Sequence, residues 1–404
     1  MFTLFRRKNK GIVTDKKKID EILTRGVEDI FVKEELEKKL LSGRQLRVKL
    51  GFDPTGSKIH IGRAIILRKL RDFQKLGHQI IFIVGDFTAL IGDPSDKLEK
   101  RPMLSADQIR ANLKNYKNQV GKIIDLNTSE FRFNSGWLSK LTFKEITELA
   151  ESFTVQQMSN RRNFKERLKN GQDISLREFM YPLMQGYDSV EVRADVEIGG
   201  FDQLFNLKAG RIIQKHFKQS EQDILTTKML EGTDGRKMST SWGNVINITD
   251  EPNDMYGKIM AMKDELLPQY FLLCTDLSEQ EISKALDGVH PKEAKMRLAR
   301  EIVSIYYSKD LAKKAEKNFV DAFSKGSVPD NIQEIVIIED LPLVDIAIEN
   351  KIVSSKSEFK RLAQEGGIKD LETDKSINDF NYVVSASQSI RFGKKKFMKI
   401  SVKK

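Results

Sequence analysis

Residues 46–63 read LRVKLGFDPTGSKIHIGR, and residues 80–86 read IIFIVGD. The alternation over residues 46–50 predicts a strand, and the apolar spacing over residues 64–76 predicts a helix that ends at Gly77. The second stretch is a continuous apolar run, which is typical of a strand buried in a parallel sheet. Strand, helix and strand in this order form a βαβ unit, so we predict a doubly wound, parallel α/β sheet.

The rest of the chain is mostly helical in pattern. Residues 15–45 predict a charged amphipathic helical segment, residues 105–190 are mostly helical, and residues 252–325 are all helical. Residues 245–248, which read VINI, are a candidate last strand. Residues 324–330 have the composition of a linker, and a small basic module that ends in short alternating strands follows them.

The composition bounds the class of protein. The 404 residues carry a net charge of +11, with 39% apolar and 31% charged residues, which fits a globular protein of two or three domains. No apolar run approaches the roughly 18 residues of a membrane span. A single cysteine, Cys274, excludes an internal disulfide and suits a reducing cytosol. We therefore expect a cytoplasmic protein with no membrane partner, no signal peptide and no structural zinc site.

The basic residues are compatible with a polyanionic partner or with a lysine-rich proteome. Their distribution favours the polyanion, because residues 391–404 hold seven basic side chains and no acid. Residues 355–368 predict a capped short helix with a glycine stop, which places Lys356, Lys360 and Arg361 on or near one face. A small solvated helix would have the same pattern.

Two short segments carry groups suited to phosphate chemistry. Ligands bind doubly wound sheets at the carboxyl ends of strands, where a helix begins. Gly51 lets a ligand approach the backbone there, and His60 lies just before the helix, where it can donate to a phosphate oxygen. Lys237 follows later, in a loop that reads KMSTS. Each of these residues, taken alone, is also compatible with a structural or solvated role.

A third segment places polar side chains on one face of a helix. Tyr181, Gln185 and Asp188 stand at positions i, i+4 and i+7, so they share that face. Their neighbours are apolar, and buried polar groups need partners. The alternative is a solvated stripe on the surface.

In combination, these segments resemble the signatures of the tyrosyl-tRNA synthetases, which are class I aminoacyl-tRNA synthetases. The resemblance covers the chain from about residue 15 to its end. The matching motifs are GFDPT followed by HIG, YPLMQGYD over residues 181–188, GGFDQ over residues 199–203, and KMS over residues 237–239.

The resemblance implies a fold and an activity. The implied domains are a Rossmann-like catalytic domain over residues 1–246 with a helical insert at about 120–190, an α-helical domain over residues 247–328, and a small α+β S4-like RNA-binding domain over residues 338–404. The implied reaction is ATP-dependent activation of L-tyrosine, followed by transfer of the tyrosyl group to the 3′ end of tRNA(Tyr). Magnesium accompanies ATP, no metal is tightly bound, and the enzyme is a homodimer.

The resemblance also implies roles for individual residues. The implied catalytic residues are His60, Arg63, Lys97, Arg101 and Lys237. Tyrosine is expected to contact Gly51, Asp93, Tyr181, Gln185, Asp188 and Gln203. ATP is expected to contact Asp53, His60, Gly62, Gly200, Asp202, Lys237 and Met238. RNA is expected to contact Lys356, Lys360, Arg361, Lys394 and Lys395.

Five positions depart from the family pattern, and two of them are Phe201 in place of a small hydroxyl residue and Trp242 in place of an aliphatic residue. Arg63 stands where a second histidine is usual, and Thr240 stands where a second lysine is usual. Lys49 stands where some members have a tyrosine that contacts the substrate phenol, so we expect Asp188 to carry most of the discrimination. The departures leave two alternatives open, which are a paralogue that activates an amino acid for another acceptor and a non-catalytic RNA-binding protein of the same fold.

Overall fold

The fold is that of a computed structural model, which describes residues 11–93, 104–324, 334–337, 340–373, 375–393 and 396–402. The predicted site residues Lys97, Arg101, Lys394 and Lys395 lie outside these ranges. The chain forms two compact units. One contains the residues up to Glu251 together with Lys258–Tyr306, and the other contains Pro252–Gly257 together with the residues from Tyr307 onwards.

The described residues form the following strands and helices. The strands are β1 Val27–Phe31, β2 Arg47–Phe52, β3 Gln79–Val84, β4 Ser129–Phe133, β5 Val196–Gly200, β6 Asp223–Thr227, β7 Glu334–Ile337, β8 Leu341–Pro342, β9 Ile368–Asp370, β10 Val383–Val384, β11 Gln388–Phe392 and β12 Lys396–Val402. The helices are α1 Lys16–Thr24, α2 Lys33–Leu41, α3 Ile61–Lys75, α4 Thr88–Ile91, α5 Ala106–Leu113, α6 Tyr116–Gly121, α7 Ser135–Leu138, α8 Phe143–Ala150, α9 Val155–Ser159, α10 Arg162–Lys169, α11 Leu176–Glu191, α12 Leu204–His216, α13 Pro252–Met260, α14 Leu267–Cys274, α15 Glu279–Leu286, α16 Pro291–Tyr306, α17 Lys309–Ser324, α18 Leu343–Glu349 and α19 Lys356–Gln364. Within this described part of the chain, no helix combines the length and the apolar composition that crossing a membrane requires.

The first unit is built around a six-stranded sheet with the strand order β1-β6-β5-β2-β3-β4. The strands from β6 to β4 are parallel, and β1 pairs with β6 in the antiparallel direction. Ranked along the chain, the parallel strands run 3-2-1-4-5 from β4 to β6, which is the doubly wound order. The predicted α/β class is confirmed, and the sheet is mixed rather than purely parallel because of β1.

Two local predictions are wrong. Residues 15–45 are not one helical segment, because the chain turns at Gly26, with φ at +64°, and enters β1. The region 105–190 is mostly helical as predicted, and it also contains a strand, β4, which pairs with β3. Strands β1 and β4 lie at sheet edges and are at most half-buried, so their sequences lack the apolar run of β3. Residues 245–248 form only an isolated bridge to the segment that contains His60.

The second unit contains a four-stranded sheet with the order β7-β12-β11-β9 and a two-stranded sheet of β8 and β10. Its core packs α18 and α19 against these strands, with Phe359, Ile390 and Met398 completely buried. The predicted capped helix is confirmed as α19, where the hydroxyl of Ser355 accepts from the backbone N–H of Glu358 at 3.2 Å.

Candidate active site

The chain reverses its direction across the sheet between β2 and β5, which lie side by side. From β2 it crosses through α3 to β3 on one side, and from β5 it crosses through α12 to β6 on the other. Such a switch point opens a crevice at the carboxyl ends of the two strands. Asp53 directly follows β2 there, and Asp202 follows β5.

A cavity of about 110 Å³ lies in this crevice. It brings together ten of the predicted site residues, which are Gly51, Asp53, Arg63, Asp93, Tyr181, Gln185, Asp188, Gly200, Asp202 and Gln203. Four of these are aspartates, and Arg63 is the one basic residue that lines the cavity among the described residues. The other described residues predicted for catalysis or ATP, which are His60, Gly62, Lys237 and Met238, do not line it.

Tyr181 and Asp53 connect α11 to the loop after β2. The phenol of Tyr181 donates to Oδ2 of Asp53 at 2.9 Å, and the hydroxyl of Thr88 donates to Oδ1 at 2.7 Å. Desolvation raises the pKa of Asp53 to about 6, and the negative charge of Asp93 adds to the effect. Gly85 provides the room for this carboxylate, since a Cβ there would lie 1.9 Å from Oδ1 of Asp53.

Asp188 is a buried acceptor in the same cavity, with 3% of its surface exposed. Its Oδ1 accepts from the indole Nε1 of Trp137 at 2.8 Å, and its Oδ2 accepts from Nδ2 of Asn134 at 3.3 Å. Desolvation raises the pKa of Asp188 to about 7, against the opposing charge of Lys49. Each carboxylate oxygen has two lone pairs, so Asp188 can still accept a hydrogen bond from a ligand.

Gln185 and Asp93 add two further acceptors. Gln185 is 7% exposed, and its Nε2 donates to Oε1 of Glu197 at 3.1 Å. This hydrogen bond uses the amide nitrogen, so the amide oxygen is the acceptor that the side chain adds. Asp93 is also 7% exposed, and its Oδ1 accepts from Nδ2 of Asn206 at 3.2 Å. The side chain of Asn206 is held in turn by the guanidinium of Arg161 at 3.1 Å. An amide oxygen and a carboxylate are the acceptors that an ammonium group requires.

The first turn of α3 has His60 as its N-cap. Nδ1 of His60 accepts from the backbone N–H of Arg63 at 3.3 Å, so the ring proton is assigned to Nε2. Burial lowers the pKa of His60 to about 4, and the charge of Arg63 adds to the effect. At neutral pH His60 is therefore a neutral donor at a helix N-terminus, a place that favours anions.

The HIG segment and the KMS segment lie against each other at the beginning of α3. Met238 is buried, and a Cβ at Gly62 would lie 2.9 Å from its Sδ and 3.1 Å from Nδ1 of His60. Lys237 is exposed, while its carbonyl oxygen accepts from Nδ2 of Asn244 at 3.1 Å. The KMS segment thus packs against α3 through the side chain of Met238, while Lys237 is exposed.

Known proteins are similar in sequence to this chain over most of its length. The family described as tRNA synthetases class I (W and Y) matches residues 41–324. The tyrosine–tRNA ligase of Thermotoga maritima is 43% identical over 389 residues, which cover 94% of this chain and 96% of that protein. This chain belongs to the class I tRNA synthetases of the tryptophan and tyrosine group.

Other relatives of this synthetase extend over nearly the same length. Tyrosine–tRNA ligase 2 of Clostridium acetobutylicum is 43% identical over 400 residues, which cover 96% of this chain and 100% of that protein. Among solved structures, the C-terminally truncated mitochondrial tyrosyl-tRNA synthetase of Aspergillus nidulans aligns with a TM-score of 0.64 at 23% identity, and the match covers 76% of this chain and 95% of that one. At that identity, the likeness shows the α/β fold alone.

Several residues that shape the site of this synthetase escape sequence analysis. They are Gly85, Thr88, Asn134, Trp137, Arg161, Glu197, Asn206 and Asn244. Glu197 does carry a signal, because a charged residue in an otherwise apolar strand needs a buried partner. Lys49 carries the same signal in β2. The others lie on helices or loops, where the local pattern does not indicate what they contact.

Proposed function

We propose that this synthetase is a tyrosine–tRNA ligase of the cytoplasm. The carboxylate of L-tyrosine attacks the α-phosphate of ATP, which forms tyrosyl-adenylate and releases pyrophosphate. A 3′-terminal ribose hydroxyl of tRNA(Tyr) then attacks the carbonyl carbon of the adenylate, and AMP leaves. The observation that carries the proposal is Asp188, a buried carboxylate in the substrate cavity that is held by the neutral donors Trp137 and Asn134.

The proposed tyrosine site lies in this cavity, and its lining residues contact both ends of the substrate. The phenol of the substrate donates to Asp188, and its ammonium group donates to Asp93, Gln185 and the oxygen of Tyr181. Phenylalanine lacks the hydroxyl group, so it would leave the buried carboxylate without that hydrogen bond. Sites built to bind a hydroxyl discriminate strongly against analogues that lack it. Gly51 and Gln203 line the same cavity and complete the proposed tyrosine contacts.

The proposed nucleotide site lies at the beginning of α3. Activation needs little covalent chemistry from the protein, so the positioning of substrates and the stabilisation of charge carry it. His60, Arg63 and Lys237 supply donors and charge for the phosphates, and Lys97 and Arg101 are proposed for the same task. The other proposed ATP contacts are Asp53, Gly62, Gly200, Asp202 and Met238. Magnesium enters as part of the MgATP substrate, because it is commonly held through phosphates and water with few protein ligands.

The experiment that tests the activation step is amino-acid-dependent exchange between ATP and pyrophosphate. Tyrosine, phenylalanine and tryptophan are compared in parallel, and exchange with tyrosine alone is expected. Aminoacylation of tRNA(Tyr) then tests the transfer step. Exchange without transfer would favour a paralogue with another acceptor. No exchange from a folded protein would favour a non-catalytic RNA-binding protein.

The proposal includes an RNA-binding role for the C-terminal part of the chain. Lys356, Lys360 and Arg361 are exposed on α19 within the small α+β module, which supports an S4-like domain over residues 338–404. An α-helical domain over residues 247–328 and a basic contribution from Lys394 and Lys395 belong to the same proposal. Replacing Lys356, Lys360 and Arg361 with glutamine is expected to weaken tRNA binding and to reduce its salt dependence, while tyrosine-dependent exchange stays unchanged.

A homodimer is also part of the proposal. Four large apolar side chains are exposed on α8 to α11, within the helical insert at about 120–190, and they are Phe143, Val155, Leu168 and Leu176. Contiguous apolar patches commonly mark protein–protein interfaces, and we propose that these side chains contribute to one. Leu176→Glu is therefore expected to convert a dimer into monomers in analytical ultracentrifugation. A dimer that persists in this variant and in Phe143→Glu would contradict an interface at the insert.

A further inference from the structure

A buried ion pair lies directly beneath the helix that carries the tyrosine-site residues. Lys49 on β2 and Glu197 on β5 are register partners in the two strands that form the switch point. Their side chains are 0% and 1% exposed, and Nζ of Lys49 lies 3.0 Å from Oε1 of Glu197. Both are charged residues in strands that are otherwise mostly apolar, so the pair is a deliberate feature of the switch point.

Both members of the pair bind α11. Nζ of Lys49 donates to the carbonyl oxygen of Gln185 at 2.9 Å and to Oγ of Ser189 at 2.7 Å. Glu197 accepts from Nε2 of Gln185 at 3.1 Å and from Nε2 of Gln222. The contacted residues Gln185 and Ser189 stand on either side of Asp188 along the helix, so the pair fixes the turn that carries this carboxylate.

Stability alone does not explain such a pair. Replacing a buried ion pair with well-packed apolar residues is often neutral or stabilising, whereas removing one partner leaves an uncompensated charge. Lys49 donates two hydrogen bonds to α11, through Gln185 and Ser189, and its charge is compensated by Glu197. The pair therefore acts on the position and the electrostatic surroundings of α11.

The charged groups around Asp188 come from several elements. Lys49 on β2 and Glu197 on β5 act on it from the sheet, and Tyr181 is the ionisable neighbour on α11 itself. The same cavity is lined by the charged residues Asp53, Arg63, Asp93 and Asp202. The segment before and within α7 contributes only the neutral donors Asn134 and Trp137. Helix α12 meets α11 through Ala209, Gly210 and Ile213, which carry no charge.

We propose that the Lys49–Glu197 pair is a positioning device for tyrosine recognition, which holds α11 against the sheet and so fixes the place from which Asp188 accepts from the phenol. This inference rests on the proposed function, because it assumes that tyrosine is the substrate. Lys49 favours the carboxylate form of Asp188, and Glu197 disfavours it. The two members of one pair therefore have opposite effects on the same acceptor.

The opposite signs give the decisive experiment. The dissociation constant of tyrosine is measured against pH in the full chain carrying Trp242→Phe, where Trp137, the hydrogen-bond donor to Asp188, is the one remaining tryptophan and reports binding by fluorescence. Lys49→Met is expected to move the pH at which tyrosine affinity is half-lost upwards by about one unit, and Glu197→Gln is expected to move it downwards by about one unit. In Glu197→Gln, Asp188 remains as the counter-charge of Lys49.

Steady-state exchange supplies a second readout. At neutral pH, Lys49→Met is expected to raise KM for tyrosine about tenfold while kcat changes less than about twofold, because the pair acts on substrate binding rather than on the phosphates. The matched control is Lys69→Met. Lys69 is another buried lysine, 5% exposed, and it donates to the carbonyl oxygens of Ile22 and Arg25, away from the cavity. This control is expected to leave the pH midpoint in place.

The outcomes separate the inference from the proposed function. If Lys49→Met does not fold, the double variant Lys49→Met/Glu197→Gln removes both charges, and a rise of about tenfold in KM for tyrosine is still expected because α11 loses the two hydrogen bonds from Lys49. The inference would be overturned if the pH at which tyrosine affinity is half-lost shifted in the same direction in the two single variants. It would also be overturned if KM for tyrosine were unchanged in the double variant. An unaltered protein that exchanges with no amino acid would instead overturn the proposed function.

Discussion

The two ends of the candidate site are built in different ways. At the Asp188 end the carboxylate is 3% exposed, and Trp137 and Asn134 hold it from another element. At the end that carries the KMS segment, Lys237 is exposed, and Asn244 holds the loop through its backbone. Recognition of one side chain among similar ones needs buried, prearranged partners, because only there does a missing hydrogen bond carry its full cost. Phosphate binding needs charge, which an exposed side chain can deliver.

Replacing Asp188 at the buried end should reduce activity most. Asp188→Asn should lower kcat/KM for tyrosine by about 10²- to 10³-fold, because a buried, charge-assisted hydrogen bond is lost. The value for phenylalanine should change little, so selectivity falls by nearly the same factor. Exchange assays with both amino acids measure the ratio. Asp107→Asn, which alters an exposed carboxylate on α5, is the control. If the ratio of kcat/KM for tyrosine to kcat/KM for phenylalanine is unchanged in Asp188→Asn, the buried carboxylate does not discriminate between the two amino acids.

A smaller effect is expected where backbone room supports the buried end. A Cβ at Gly85 would lie 1.9 Å from Oδ1 of Asp53 and 2.3 Å from Oγ1 of Thr88. Gly85→Ala should therefore displace Asp53, destabilise the fold by about 1–3 kcal/mol and lower kcat/KM for tyrosine about 30-fold. Thermal unfolding and exchange assays measure the two effects.

Gly51→Ala is the matched control for that variant. A Cβ at Gly51 would meet nothing within 4 Å, so the free protein should keep its stability. Because Gly51 lines the cavity, KM for tyrosine should still rise. Equal loss of stability in the two variants would show that Asp53 does not depend on the space at Gly85.

The two ends should also respond differently to pH in the unaltered enzyme. The pKa of Asp188 is raised to about 7, so the acceptor becomes protonated as the pH falls through that value. KM for tyrosine should increase about tenfold between about pH 8 and pH 6, as the charged fraction of one such group falls. KM for ATP should change less, because the pKa of His60 is lowered to about 4 and the ring stays neutral. Parallel changes in both constants would contradict the assignment.

The smallest effect is expected at the exposed end. Asn244 donates to the carboxylate of Asp234 at 2.8 Å and accepts from the backbone N–H of Ser239 at 2.8 Å. Asn244→Ala should loosen the loop and lower kcat about fivefold, which corresponds to about 1 kcal/mol of transition-state stabilisation. KM for tyrosine should stay constant. Ser239→Ala keeps the backbone donor and serves as the control, and a rise in KM for tyrosine would mean that the two ends are coupled.

Much of this architecture could be predicted from local sequence. Strands β2 and β3, helix α3 and the capped helix α19 follow from periodicity and from capping residues, which are properties of neighbouring positions. The shared face of Tyr181, Gln185 and Asp188 follows in the same way and is confirmed, since all three line the cavity. The edge strands β1 and β4 could not be predicted, because half-buried strands lack a continuous apolar run.

The amino-acid sequence alone predicts a set of chemical groups and their local placement, which are a histidine at a helix N-terminus, a polar face on α11, and glycines in β2 and β5. Which of these groups meet depends on the tertiary structure. Strand order alone places Lys49 opposite Glu197, and only the fold brings Trp137 to Asp188 and Met238 to Gly62. The physical reason is that burial, and with it the charge state of Asp188, depends on residues far away in the chain, which no local pattern records.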